Sequence, residues 1–149
     1  MCISFTLMYD ILRDMNSTTS ATPKKIVLIE DDTALRDFLF QSLTSKGFIV
    51  SAATDGEIGL EKIINEKPDA AIIDVMLPKK NGFALIKEFR EKQPESSLQI
   101  IMLTDLTDMQ YAATAIEEKV FSYIIKSDHS LEGVATLIEK QLNGTVVTQ

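Results

Sequence analysis

The sequence predicts a doubly wound α/β fold, in which a parallel β-sheet carries helices on both faces. Two observations support this fold class. Between residues 25 and 144, short apolar runs alternate five times with segments whose apolar residues recur at helical spacing. Strict alternation of this kind is typical of parallel strands joined by right-handed helical crossovers. The 149 residues, of which 45% are apolar, are sufficient for one domain with a sizeable core.

The first two strand–helix pairs have clear limits. A continuous apolar run rich in β-branched residues at 26–29 predicts a strand buried on both faces. Apolar residues at helical spacing predict a helix at 33–46, and a second strand is predicted at 48–52. Asp55 is a candidate cap for the second helix, which ends before Pro68.

The remaining elements follow the same alternation. They are a strand at 70–73, a helix that begins near residue 83 and ends before residue 94, a strand at 98–103, a helix at 107–118, a strand at 121–125 and a helix at 131–142.

The compact fold is expected to span residues 24–144, with a flexible N-terminal extension at 1–23 and a C-terminal tail at 145–149. The apolar stretch at 1–8 follows no Lys or Arg and is too short to cross a bilayer. Neither a secretory signal nor a membrane partner is therefore expected. Alternatively, Met15 is the true start and is followed by a polar leader rich in Ser and Thr.

The composition argues against several functions. The net charge of −7 disfavours a nucleic-acid surface, because phosphate backbones are bound by clustered Lys and Arg. A lone cysteine, Cys2, cannot form an internal disulfide, which indicates a reducing, cytoplasmic setting. With His129 as the single histidine, a zinc site built from His and Cys is not expected.

Polar residues stand at the ends of four predicted strands. They are Glu30, Asp31 and Asp32 after the first, Asp74 after the third, Thr104 at the end of the fourth and Lys126 after the fifth. Ligands of open α/β sheets bind outside the carboxyl ends of the strands, so these side chains are expected to converge on one rim.

These residue types suit phosphoryl transfer. Carboxylates are hard oxygen ligands of the kind that Mg²⁺ prefers, and an Asp carboxylate is a competent nucleophile toward phosphorus. The ammonium of Lys126 and the hydroxyl of Thr104 are suited to neutralise charge on a phosphoryl group. A plainer alternative is that the three acids simply lie at a helix N-terminus, where the helix dipole favours negative charge. Asp32 itself is interpreted as a surface or capping residue.

Residues 25 to about 142 resemble the response-regulator receiver domains of bacterial two-component signalling. The resemblance is carried by the acidic pair after the first strand, the run Asp-Val-Met-Leu-Pro-Lys-Lys-Asn-Gly at 74–82, the Thr that ends the fourth strand and Tyr-x-x-Lys at 123–126. It implies a flavodoxin-like, five-stranded parallel sheet of order 2-1-3-4-5 with five helices.

The resemblance also implies roles for individual residues. Asp74 is similar to the phosphoacceptor and Asp31 to the direct Mg²⁺ ligand. Glu30 matches a second acidic position that often acts through a metal-bound water, and the backbone carbonyl of Met76 completes the protein ligands. Lys126 is expected to pair with the acceptor and then with the phosphate.

Two further residues resemble the switch of the family. Thr104 is expected to bond the phosphate and draw its loop inward, and Tyr123 to swing inward behind it. The expected partners are a histidine kinase or phosphotransfer protein, and a downstream protein that docks on helix four, strand five and helix five. A stand-alone phosphoacceptor is expected, with phosphorylation and dephosphorylation of itself as its only catalysis.

Two alternatives stay open. A pseudo-receiver would keep the fold and bind a partner without phosphate, and an enzyme of the haloacid-dehalogenase type would also use an Asp nucleophile and Mg²⁺. The second alternative is disfavoured because Met76 stands where that class has another acid. A dinucleotide site is not expected, since the first strand–helix turn lacks the glycine-rich fingerprint.

The chain departs from the family pattern at several positions. Ser127 replaces the Pro that often follows the lysine, and a cis bond before a non-proline costs about 2.5–4 kcal/mol, so a trans bond is expected. Asp105 replaces a small residue and is expected to slow phosphorylation or restrict donors. Lys119 and Val120 replace Gly and Ala, and a left-handed Lys119 would cost about 1 kcal/mol.

The positions that flank the site in this family are apolar here. Neither Met76 nor Leu106 can orient an attacking water, so a long-lived acyl phosphate is expected.

Overall fold

The computed structural model describes residues 22–106 and 109–144. Within these ranges, strands and helices alternate as the sequence predicts. The elements are β1 (Lys25–Ile29), α1 (Thr33–Ser45), β2 (Ile49–Ala53), α2 (Gly56–Glu66), β3 (Ala70–Ile73), α3 (Gly82–Lys92), β4 (Gln99–Thr104), α4 (Met109–Glu117), β5 (Ser122–Ile125), a 3₁₀ turn (Lys126–Asp128) and α5 (Leu131–Leu142).

The sheet is parallel throughout, and its strand order is β2-β1-β3-β4-β5. This order and the flavodoxin-like fold class are as predicted. Because β2 lies on one side of β1 and β3 on the other, the chain reverses its winding direction at the β1–β3 boundary. Open α/β sheets bind their ligands at such a switch point.

Alternate residues of the central strands supply two cores. On one face Ile26 and Leu28 pack with apolar residues of α1 and α5, and on the other Val27 and Ile29 pack with those of α2 and α3. Each side chain of this size contributes about 1.5–3 kcal/mol when it is fully buried. This two-sided burial explains why the strands appear in the sequence as continuous apolar runs.

The fourth helix is less deeply packed than the others. It has one buried residue, Ala115, whereas Met109 and Ile116 are 81% and 78% exposed. The predicted helix began at residue 107, and residues 107 and 108 lie outside the described part of the chain. The predicted extension and tail also lie largely or wholly outside it, so they stay predictions.

The connection from α4 to β5 contains a left-handed residue. Lys119 has φ of 55°, which meets the condition under which the sequence predicted a cost at this position. Arg90 of α3 holds the connection by donating to the carbonyls of Glu118 at 3.0 Å and of Lys119 at 3.1 Å. Among the described residues, no helix is long and apolar enough to cross a membrane.

Candidate functional site

The backbone of the sheet places two carboxylates side by side. Ile29 of β1 and Ile73 of β3 are paired in register, and the next residues are Glu30 and Asp74. The N–H of Asp74 donates to the carbonyl of Ile29 at 3.2 Å, which extends the pairing to the point where the strands end. The two acids are 1% and 5% exposed. The predicted convergence at this rim therefore follows from strand register.

Lys126 reaches both carboxylates from the far end of the sheet. Its Nζ lies 2.8 Å from Glu30 Oε2 and 2.9 Å from Asp74 Oδ2. Burial opposes the charged ammonium, but the hydrogen bonds to Glu30 and Asp74 outweigh this effect and raise the pKa of Lys126. The lysine is therefore a fixed cation between two buried acids.

Ser127 does not prevent this placement of the lysine. The described residues contain no cis peptide bond, so the bond before Ser127 is trans, as expected. The chain turns into the 3₁₀ segment that begins at Lys126, and His129 N–H donates to the Lys126 carbonyl at 3.3 Å. A trans bond followed by a tight turn is sufficient to direct Lys126 to Asp74.

The charged form of Glu30 is disfavoured by its surroundings in the site. Burial, and then the nearby charge of Asp74, raise its pKa to about 7 despite the opposing contacts with Lys126 and the N–H of Asp32. Oε1 accepts from Asp32 N–H at 3.1 Å, and Oε2 is paired with the Lys126 ammonium at 2.8 Å. Because Glu30 and Asp74 are both buried and share this one ammonium, the pair is suited to a further cation.

Asp31 completes a cluster of three carboxylates. Oxygens of Glu30, Asp31 and Asp74 all lie within 4.8 Å of one another, and Asp31 is the exposed member. Three hard oxygen donors with an open side fit Mg²⁺, which keeps several waters when it binds to proteins. Met76 lies in the following loop, where its N–H donates to Asp74 Oδ1 at 3.2 Å and its side chain is 62% exposed.

Two residues at the start of α1 support the acidic pair. Asp32 caps the helix by accepting from Leu35 N–H at 3.1 Å, which is one of the two roles that the sequence left open for it. Arg36 was not anticipated. Its Nη1 donates to the Glu30 carbonyl at 3.0 Å and to the Asp31 carbonyl at 3.4 Å. A basic residue just over one turn into a helix after an acidic triplet was the available signal.

The two predicted switch residues lie on β4 and β5. Thr104 is 1% exposed, and its Oγ1 accepts from Leu106 N–H at 3.4 Å, within its own loop. The hydroxyl of Tyr123 donates to the Leu106 carbonyl at 3.0 Å, and its partly buried ring packs on the core beside α3. The structure thus brings Glu30, Asp31, Asp74 and Lys126 together, and it joins Thr104 of β4 and Tyr123 of β5 through their hydrogen bonds to Leu106.

The fold and this site define a class: a doubly wound α/β protein with an acidic, lysine-bridged cluster at its switch point. The chain belongs to the response regulator receiver domain family, whose model matches residues 26–138. It is 34% identical over 128 residues to a probable transcriptional regulator of Cyanophora paradoxa, and this match covers 84% of this chain and 52% of that protein. It is 37% identical over 101 residues to the transcriptional regulatory protein AfsQ1 of Streptomyces coelicolor, covering 68% and 44%.

Solved structures agree with this assignment. A CheY-like receiver domain protein of Methanospirillum hungatei superposes with a TM-score of 0.73 at 27% identity, over 83% of this chain and 97% of that one. A putative response regulator of Chloroflexus aurantiacus gives 0.70 at 28%, over 82% and 99%. The chain spans about half or less of the curated relatives it matches, whereas it covers nearly the whole of the solved receiver domains.

Proposed function

We propose that this domain accepts a phosphoryl group on the carboxylate of Asp74 from a partner histidine kinase or phosphotransfer protein, in a Mg²⁺-dependent reaction. The observation that carries the proposal is the cluster at the switch point. Asp74 lies within 4.8 Å of two other carboxylates and 2.9 Å from a lysine ammonium. Glu30, Asp31, Asp74 and the carbonyl of Met76 are the proposed metal ligands.

Each of these residues has a defined task in the transfer. An oxygen of Asp74 attacks phosphorus, the bond from phosphorus to the donor atom breaks, and the electron pair leaves with the donor. The metal, when bound, supplies positive charge to the phosphoryl oxygens. Lys126 already contacts the acceptor, and its ammonium is therefore placed to stabilise the negative charge that arrives. Arg36 holds the main chain of the residues that bear the other two carboxylates.

The proposed output is a change of surface shape. A new dianion near Thr104 would accept a hydrogen bond from that hydroxyl, whose oxygen accepts from Leu106 N–H, and the Leu106 loop would follow it. Because Tyr123 is tied to the Leu106 carbonyl, movement of the loop would alter the faces of α4, β5 and α5. A downstream protein is proposed to dock there.

The proposal includes no chemistry on other substrates and no nucleic-acid contact by this domain, whose chain carries a net charge of −7. The named relatives are transcriptional regulators, and their greater length leaves room for parts that this chain does not match. The proposed setting is the cytoplasm, where the single cysteine would stay reduced.

The test is incubation with acetyl phosphate and Mg²⁺, followed by intact-mass measurement. The wild-type chain should gain one phosphoryl group, and the gain should disappear with EDTA or in the Asp74→Asn variant. If the wild-type mass stays unchanged in the presence of Mg²⁺ while the protein is folded, the domain is a pseudo-receiver and the proposal is wrong.

A further inference from the structure

The loop between β3 and α3 rests on the beginning of α2, a helix that contributes no candidate ligand to the site. This loop, residues 74–81, starts at the proposed phosphoacceptor and includes Met76. We infer that Asp55, which caps α2, and Gly56, which begins it, are positioning residues for the proposed Mg²⁺ site. This inference rests on the proposed function.

The contact between α2 and the loop leaves no room for a side chain. A Cβ on Gly56 would lie 1.9 Å from the carbonyl oxygen of Lys80 and 2.8 Å from its carbon, and both are backbone atoms. The N–H of Gly56 donates to the Pro78 carbonyl at 3.2 Å. Glycine is thus required at position 56 because the main chains of the helix start and the loop approach each other directly.

Asp55 adds an electrostatic tie to the same loop. One of its oxygens caps α2 by accepting from Ile58 N–H at 2.9 Å, and the other lies 3.6 Å from Nζ of Lys79. Lys79 has a left-handed φ of 67°, a conformation that is unfavourable for residues other than glycine and that contacts with neighbouring groups can stabilise. The ion pair and the Gly56 contact therefore fix the same turn of the loop.

Between this turn and the acceptor, the loop is held by backbone hydrogen bonds and close contacts. The N–H groups of Leu77 and Gly82 both donate to the Val75 carbonyl, at 3.2 and 2.9 Å, and Val75 is 3% exposed. At the other end, a Cβ on Gly82 would lie 2.4 Å from the carbonyl oxygen of Asp74. Because these contacts restrain the backbone of the loop, a displacement of residues 78–80 would also shift Met76.

The test is the Gly56→Ala variant, with Mg²⁺ binding measured by titration calorimetry in the absence of any phosphodonor. Displacing the support of a metal ligand typically weakens binding about 10–100-fold, and we expect about tenfold here. Acetyl-phosphate labelling should show the same shift in the Mg²⁺ concentration that gives half the maximal rate, and full labelling should return at saturating Mg²⁺. A purely structural role would not produce this recovery.

The control is Ile138→Ala, in α5. Ile138 is fully buried in the core on the opposite face of the sheet from α2 and the loop. The change should lower the melting temperature while leaving Mg²⁺ affinity within about twofold of wild type, which is within the usual scatter for independent sites. If Ile138→Ala weakens Mg²⁺ binding as much as Gly56→Ala does, the effect comes from general destabilisation and the inference is overturned.

A second variant covers the case in which Gly56→Ala does not fold. Asp55→Asn keeps a capping side chain but removes the charge that faces Lys79. We expect Mg²⁺ affinity to fall by up to about fivefold, the range of a partly exposed ion pair. Wild-type affinity in the folded Gly56→Ala protein, or in Asp55→Asn if the first variant is unfolded, overturns the inference alone. Failure of the wild-type protein to bind Mg²⁺ overturns the proposed function as well.

Discussion

Replacing Glu30 by Gln should stabilise the metal-free protein at alkaline pH. Burial raises the pKa of Glu30 from 4.5 to about 7, so the folded protein binds a proton there more tightly than the unfolded chain does. The carboxyl therefore costs nothing below about pH 4.5. Its charge destabilises the fold increasingly as the pH rises, and the cost is complete above about pH 7.

The size of the effect follows from that shift. At about 1.4 kcal/mol per pH unit, a rise from 4.5 to about 7 corresponds to a cost of about 3 kcal/mol at pH 8. The amide of Gln can still accept from Asp32 N–H, but it offers Lys126 a poorer partner than a carboxylate does. We therefore expect a net gain of about 2 kcal/mol at pH 8, which is roughly 8 °C in melting temperature for a domain of this size.

The assay is thermal or urea denaturation with EDTA, at pH 8 and at pH 5. The gain of Glu30→Gln should be present at pH 8 and nearly absent at pH 5. Saturating Mg²⁺ should stabilise the wild type more than the variant and so reverse the order. Glu91→Gln, which removes an exposed charge on α3, controls for the change in net charge. A Glu30→Gln protein that is no more stable than wild type at pH 8 would refute the reasoning.

Two substitutions and one measurement on the wild-type protein have defined outcomes. Lys119→Gly should stabilise the protein by about 0.5–1 kcal/mol in urea denaturation, because glycine adopts the observed φ of 55° without strain. Asp105→Ala should label faster with acetyl phosphate, because the exposed carboxylate beside Thr104 repels the incoming anion; equal rates would contradict this. The phosphorylated protein should lose its label slowly, since Met76 and Leu106 cannot orient water, and mass spectra that show loss within seconds without a phosphatase would count against it.

The sequence predicted the fold and the centre of the site because both depend on strand ends. Parallel strands in register bring the residues that follow them to one edge, so Glu30 and Asp74 could be placed together without knowledge of any rotamer. Arg36 and Gly56 could not be found in this way. Their contacts join backbone carbonyls to residues on other elements, and whether they form depends on how closely two segments approach in three dimensions.

Charge at the site indicates the order in which its ligands would have to arrive. Three carboxylates and one ammonium leave a formal charge of −2 within a small, mostly buried volume, and a divalent cation cancels it. Phosphorylation removes the charge of Asp74 but adds a dianion, so the occupied site would stand near −1 with metal and near −3 without it. Without the metal, the ammonium of Lys126 alone does not supply enough positive charge to balance the phosphorylated site. In the proposed function, the same unbalanced acids that are expected to make the metal-free fold less stable would therefore make the metal a precondition of phosphoryl transfer.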